Sequence, residues 1–114
     1  HDEVPRWLDQ ADVFINTSNY DTAPRSLLEA MANGLCVIST NVGGIPLMAT
    51  DKVEAIWVDP DDFEAMAFAV KQVLDSPDLA NKLSINARLR AEKSDWSAIL
   101  PKWEALFSKL LQSN

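Results

Sequence analysis

"ADVFINTSNYDTAPRSLLEAMANGLCVIST", residues 11–40, carries the pattern on which the fold turns. Its opening "DVFIN", Asp12 to Asn16, is a short apolar run rich in β-formers and bounded by polar residues, so it reads as a buried strand. Thr17 to Ala23 is loop. Pro24 opens a predicted helix to about Asn33, with Leu27, Leu28, Met31 and Leu35 as its core stripe. Gly34 is a stop, because glycine takes the left-handed conformation that ends helices without a Cβ clash. "CVIST", Cys36 to Thr40, is a second buried strand. A strand, loop, helix and strand in this order imply parallel strands joined by a crossover.

The flanks extend the same pattern. Val4 to Ala11 has helical spacing, with Pro5 tolerated in a first turn. "NVGGIP" is a loop in which Gly43 and Gly44 allow a tight turn or a close backbone approach, and "IPLMAT" is a candidate helical turn. "EAIWV", Glu54 to Val58, is a third strand, ended by "DPDD". Phe63, Met66, Ala67, Val70, Val73 and Leu74 then form one helical stripe. Ser76-Pro77-Asp78 starts the next helix, lined by Leu79, Leu83 and Ala87. Ser94 or Asp95 caps the last, whose wide apolar face runs from Trp96 to Leu110 and is interrupted by Pro101, where a kink is expected. The fold class is α/β: a Rossmann-like, short parallel sheet flanked by helices on both faces. Strand 12–16 is expected at an edge that lacks its neighbours.

Composition bounds the partners. The 114 residues suffice for one small domain or part of one, and 47% hydrophobic with 24% charged residues is a globular balance. A net charge of −7 argues against nucleic acid or an anionic membrane as a partner of the whole surface. The single Cys36 excludes an internal disulfide and fits a reducing compartment. The sequence enters an organised pattern at His1, and the expectation is a piece of a longer chain; a trimmed small protein is the alternative.

The loop and helix of residues 17–33 are the candidate site. Ligands of open parallel sheets bind beyond the carboxyl ends of the strands, and a helix N-terminus there offers unpaired amides to a phosphate. Asp21 lies in the loop, seven residues before Glu29, which lies about one and a half turns inside the helix and away from the Leu27/Met31 seam. The pair can serve hydroxyls and a vicinal diol such as ribose. It can equally be an ordinary loop acid and an exposed helix glutamate.

The full string of residues resembles the donor-binding segment of retaining glycosyltransferases of the GT-B fold, of the kind called glycosyltransferases group 1 or family 4. The shared residues are Ala11-Asp12, Ser18, Pro24, Leu28-Glu29-Ala30-Met31-Ala32, Gly34, Val37, Thr40, Gly43-Gly44 and Pro46. The region from "VDPDD" to "DWSAI" is similar to that family's closing helices. The resemblance implies the C-terminal half of a GT-B nucleotide-sugar-binding domain, with the N-terminal acceptor domain outside this sequence. It implies Asp21 as the catalytic acid position near the reacting sugar, and Thr22, Ala23, Pro24, Arg25 and Ser26 as donor-binding residues at the sugar and diphosphate. It implies Glu29 at the ribose, and Gly43 and Gly44 as a candidate donor loop. It implies a nucleotide-sugar donor, a glycan or lipid acceptor, no metal or other cofactor, and a cytoplasmic enzyme, in some members peripheral at the inner face of the membrane. Lipopolysaccharide and other polysaccharide biosynthesis are the family's common settings.

The sequence departs from the family pattern in places. The first acid is Asp21 where Glu is usual, Thr22-Ala23 replaces a Gly-aromatic pair, Asn16-Thr17 replaces Leu-Pro, Cys36 replaces a Pro, and Leu47 stands where an acid often follows "GGIP". Plainer roles stand beside the functional ones: Arg25 as a solvated first-turn side chain, Cys36 as a small buried apolar residue, Gly43-Gly44 as a turn, and His1 as a frayed end. The tryptophans read as core or as an interface with an absent domain, and Trp96, Trp103 and Phe107 are those expected to stay exposed. A non-catalytic nucleotide-sugar-binding or structural fragment, prone to self-association, is the alternative function. A sugar-nucleotide epimerase domain is disfavoured, since no strand ends in G-x-G-x-x-G.

Overall fold

A computed structural model describes residues 3–113. The elements are α1 (Val4–Asp9), β1 (Val13–Asn16), α2 (Arg25–Ala32), β2 (Cys36–Thr40), a 3-10 turn at Ile45–Leu47, β3 (Ile56–Val58), α3 (Phe63–Asp75), α4 (Pro77–Glu92) and α5 (Trp96–Gln112). The three strands form one parallel sheet in the order β1-β2-β3. Val13 pairs with Cys36, Asn16 with Ser39, and Thr40 with Val58. β1 is the edge, and Ile15 on it is half exposed.

β2 is buried along its whole length, so both of its faces need cover. Alternation of side chains sends Val37 to one face, where it meets Leu27, Ala30, Met31 and Leu35 around α2, together with Ala87 and Ala91 of α4. Cys36 and Ile38 point to the other face, against Ala69 and Val73 of α3 and Leu83 of α4. Thus α4 serves both cores. It crosses the amino end of the strands, where Cys36 Sγ donates to the Ala80 carbonyl (3.3 Å) and Ser84 Oγ to the Gly34 carbonyl (2.5 Å).

Several boundaries differ from the sequence reading, each for a local reason. α1 stops at Asp9, and Ala11 is exposed. The side chain of Val4, expected on its stripe, lies outside the described residues, as does His1. Glu54 falls in a tight turn and Ala55 in an isolated parallel bridge to Asp51, rather than in β3. Lys52 there has φ 63, its amide donates to the Ala55 carbonyl, and the Glu54 carboxylate accepts from the Thr50 amide at 2.7 Å. On α3 the line facing the core is Ala65, Met66, Ala69, Val70 and Val73, of which Ala69 and Val73 are buried, so Phe63, Ala67 and Leu74, expected inside, face outward. The α4 stripe is as expected, with Ala91 added.

Caps follow the chemistry of the preceding residue. Asp62, Ser76 and Asp95 each accept an amide of the first turn of α3, α4 and α5. The Asp95 carboxyl is held below its ordinary range, first by the Ser97 hydroxyl (2.6 Å) and then by the Ser97 amide (3.2 Å). α5 continues through Pro101 and buries no residue, so its apolar face is not core. Trp96, Trp103 and Phe107 are exposed, and the Trp103 and Phe107 rings stack with centroids 5.6 Å apart.

Candidate functional site

The loop after β1 is stitched to β2 by polar side chains that the parallel register brings together. Asn16 Nδ2 donates to Ser39 Oγ (3.1 Å), Ser18 Oγ donates to Asn16 Oδ1 (2.8 Å), and Thr40 Oγ1 donates to the Ser18 carbonyl (2.5 Å). Ser39 and Thr40 are buried, and hydrogen bonding satisfies both hydroxyls. Sequence reading passed over this network, because isolated Asn, Ser and Thr residues carry no spacing signal until the register pairs them.

The same loop then meets the segment after β2. The carbonyl oxygen of Asp21 faces Gly43, which has φ +56, and that of Thr22 faces Gly44. Asp21 is therefore held, half-buried, at the carboxyl end of the sheet, where the sequence reading puts a ligand. Tyr20 beside it is 93% exposed.

Pro24 is the N-cap residue of α2, with φ −66 and ψ 125, and not its first helical residue. Proline has no side-chain oxygen to cap with, and no acid occupies the first turn. Among the described residues, the amides of Thr22, Ala23, Arg25 and Ser26 donate to no protein acceptor. Four free donors, together with the positive end of the helix dipole, form an anion-seeking surface.

Glu29 extends from the flank of α2. Arg25 Nε lies 3.2 Å from Glu29 Oε1, one turn away. Both line a groove of ≈ 450 Å³ between α2 and the end of α4, with Leu28 from α2 and Arg88, Glu92 and Asp95 beyond it. The structure thus joins Arg25 to Glu29 in one groove, and Asp21 and Thr22 to Gly43 and Gly44 in one loop contact. The open amides of Thr22, Ala23, Arg25 and Ser26 lie between the two along the chain. The sequence reading did not include Arg88, Glu92 or Asp95, since nothing in the pattern ties the end of α4 to α2. Cys36 is buried, its thiol pushed up first by desolvation and then by the charge of Asp12. Burial of this kind disfavours the reactive thiolate.

With this geometry in hand, comparison with known proteins assigns the family. The profile described as "Glycosyl transferases group 1" matches residues 1–90. The chain belongs to the group 1 glycosyltransferases. A glycogen synthase of Mycobacterium tuberculosis is 30% identical over 100 residues, covering 87% of this chain and 24% of that protein. Among solved structures, Anabaena HepE in complex with UDP superposes with a TM-score of 0.86 at 18% identity, over 96% of this chain and 30% of HepE. HepE has also been solved with UDP-glucose. The C-terminal domain of a group 1 glycosyltransferase from Francisella tularensis matches with a TM-score of 0.75 at 24% identity, over 80% of this chain and 47% of that domain. The fold is therefore that of a C-terminal part of a GT-B glycosyltransferase. The chain spans about a quarter of the length of the glycogen synthase it matches.

Proposed function

We propose that this chain is the donor-binding, C-terminal part of an enzyme that transfers a sugar from a nucleotide-sugar donor to a glycan or lipid acceptor with retention of configuration. The open N-terminus of α2, set between Asp21 and Glu29 in a group 1 glycosyltransferase, carries this reading. The free amides of residues 22, 23, 25 and 26 meet the donor diphosphate, and Arg25 adds a cation at the same end of the helix. The Glu29 carboxylate accepts the two ribose hydroxyls, for which it exchanges Arg25. Asp21 accepts from hydroxyls of the donor sugar and stabilises positive charge on the anomeric carbon. The acceptor hydroxyl attacks that carbon on the face from which the diphosphate leaves. The new carbon–oxygen bond forms as the bond to phosphate breaks, and the acceptor proton passes to the departing phosphate oxygen.

In this scheme amides and side-chain cations neutralise the diphosphate, with no resident metal. The acceptor is held by an N-terminal domain across the cleft, and the enzyme works in the cytoplasm, at the inner face of the membrane if the acceptor is a lipid. The edge of β1 is where such an enzyme continues its sheet. The net charge of −7 gives no footprint for nucleic acid. The 114-residue chain alone, lacking the acceptor side, binds donor weakly and turns nothing over.

The test is a panel of nucleotide sugars offered to the full-length protein with glycan and lipid acceptors, the anomeric configuration of product being read by NMR. A product with the donor's configuration supports the proposal. An inverted product removes the front-face mechanism. A full-length protein that binds no member of the panel leaves the non-catalytic alternative.

A further inference from the structure

We infer that Gly43 and Gly44 are positioning residues for the donor, acting through the backbone of Asp21 and Thr22. The inference rests on the reading of the α2 N-terminus as the diphosphate seat.

A Cβ on Gly43 would lie 1.6 Å from the Asp21 carbonyl oxygen, and a Cβ on Gly44 would lie 1.9 Å from that of Thr22. Real Cβ atoms do not come within 3.0 Å of such neighbours, and here the neighbours are backbone, which cannot swing aside as a side-chain end can. Gly34 makes the contrast. It has φ +75, yet a Cβ there would meet only the Ser84 hydroxyl, at 3.3 Å. Gly34 is required by its backbone angle, whereas Gly44, at φ −85, is required by the space that Thr22 occupies.

The contact has a directional consequence. In a planar trans peptide the N–H points opposite to the C=O. No described peptide bond is cis, so carbonyls of residues 21 and 22 directed at the glycines turn the amides of Thr22 and Ala23 away from them. Neither amide has a protein acceptor among the described residues. These two amides, followed along the chain by the free amides of Arg25 and Ser26 at the helix start, are the donors offered to anionic oxygens. A side chain at position 44 forces the Thr22 carbonyl to retreat and tilts the Ala23 amide with it. The glycines thus set the aim of the seat without themselves being required to touch the donor.

The experiment uses the full-length protein and UDP as probe, with affinity measured by calorimetry below the melting transition of each variant. Gly44→Ala is expected to weaken UDP about tenfold, since a misaimed Ala23 amide loses a charge-assisted hydrogen bond to the diphosphate. Gly34→Ala, which strains the backbone at the other end of α2, is expected to lower the melting temperature and leave UDP affinity within about twofold, as its added atom meets only a side-chain end. A folded Gly44→Ala that binds UDP as the parent does overturns the role of the glycines and leaves the donor reading intact. Should Gly44→Ala not fold, backbone NMR of the parent decides. UDP must shift the amide resonances of Thr22 and Ala23, and binding that leaves both unmoved overturns the inference. A parent that binds no nucleoside diphosphate overturns both the donor reading and this inference.

Discussion

Arg25 Nε stands 3.2 Å from Glu29 Oε1, and of the two side chains that of Glu29 is the more enclosed, 36% exposed against 87% for Arg25. An exposed ion pair one helical turn apart contributes only about 0.3–0.5 kcal/mol to stability. Glu29→Ala is therefore expected to leave the melting temperature nearly unchanged. If Glu29 holds the ribose in ground and transition states alike, its loss removes uniform binding and raises the Michaelis constant for donor with little effect on turnover. Two charge-assisted hydrogen bonds are worth on the order of 2–4 kcal/mol of donor affinity. Steady-state kinetics of the full-length variant check this, and an unchanged constant for donor returns Glu29 to an ordinary surface pair.

Asp21 should behave differently. It sits in the loop gripped by Gly43 and its neighbours, not in the Arg25–Glu29 groove. If Asp21 stands beside the reacting sugar as proposed, it acts where charge develops, and Asp21→Ala is expected to depress turnover more than donor affinity. Asp21→Glu restores the commoner residue of the family and is expected to keep part of the activity. Equal turnover for the alanine variant and the parent would remove Asp21 from the chemistry.

The contrast between these two acids shows what the sequence made legible. The strands, their order and the helix starting at residue 24 or 25 follow from apolar runs, a proline and a glycine, all local signals. Leu27 and Met31 are fully buried as their spacing requires. The grip of the glycines on residues 21 and 22 was not legible, because a close approach names no partner until two distant loops are folded together. Nor was the outward turn of Phe63 and Leu74. The stripe of α3 contains enough apolar residues for two overlapping faces, and only packing on Ile38 and Val58 selects the one centred on Ala69 and Val73. On α5 the reading held: Trp96, Trp103 and Phe107 stay exposed as expected, and the helix buries no residue.

Cys36 offers a check that is independent of donor chemistry. Burial, and secondarily the charge of Asp12, raises its thiol above the ordinary value. A group whose folded pKa is raised contributes stability that is complete below the unfolded pKa, about 8.5 for a thiol, and is lost as pH rises through the folded value. The parent should therefore lose stability above about pH 8.5 more steeply than Cys36→Ala. The difference between their melting temperatures across alkaline pH isolates this residue from the other titrating groups. The thiol should also react with iodoacetamide only after unfolding. Rapid labelling of the folded chain at neutral pH would place Cys36 at the surface and contradict its position in the core.

The bare face of α5 leads to the last expectation. Leu100, Trp103, Phe107 and Leu110 lie three or four residues apart and are each about half exposed, at 49%, 48%, 54% and 53%. A contiguous apolar helical face of this kind is removed from water by pairing when no other element covers it. The edge of β1 offers a second route, since unpaired strand groups invite another strand. In the 114-residue chain at high concentration, light scattering should therefore report a dimer or larger species. The two routes separate by mutation. Trp103→Glu combined with Phe107→Lys leaves the core untouched, because neither side chain is buried, and should return a monomer with unchanged helicity if α5 is the contact. A variant that remains associated shifts the contact to the β1 edge. A parent that scatters as a monomer at the highest attainable concentration shows that neither surface associates on its own.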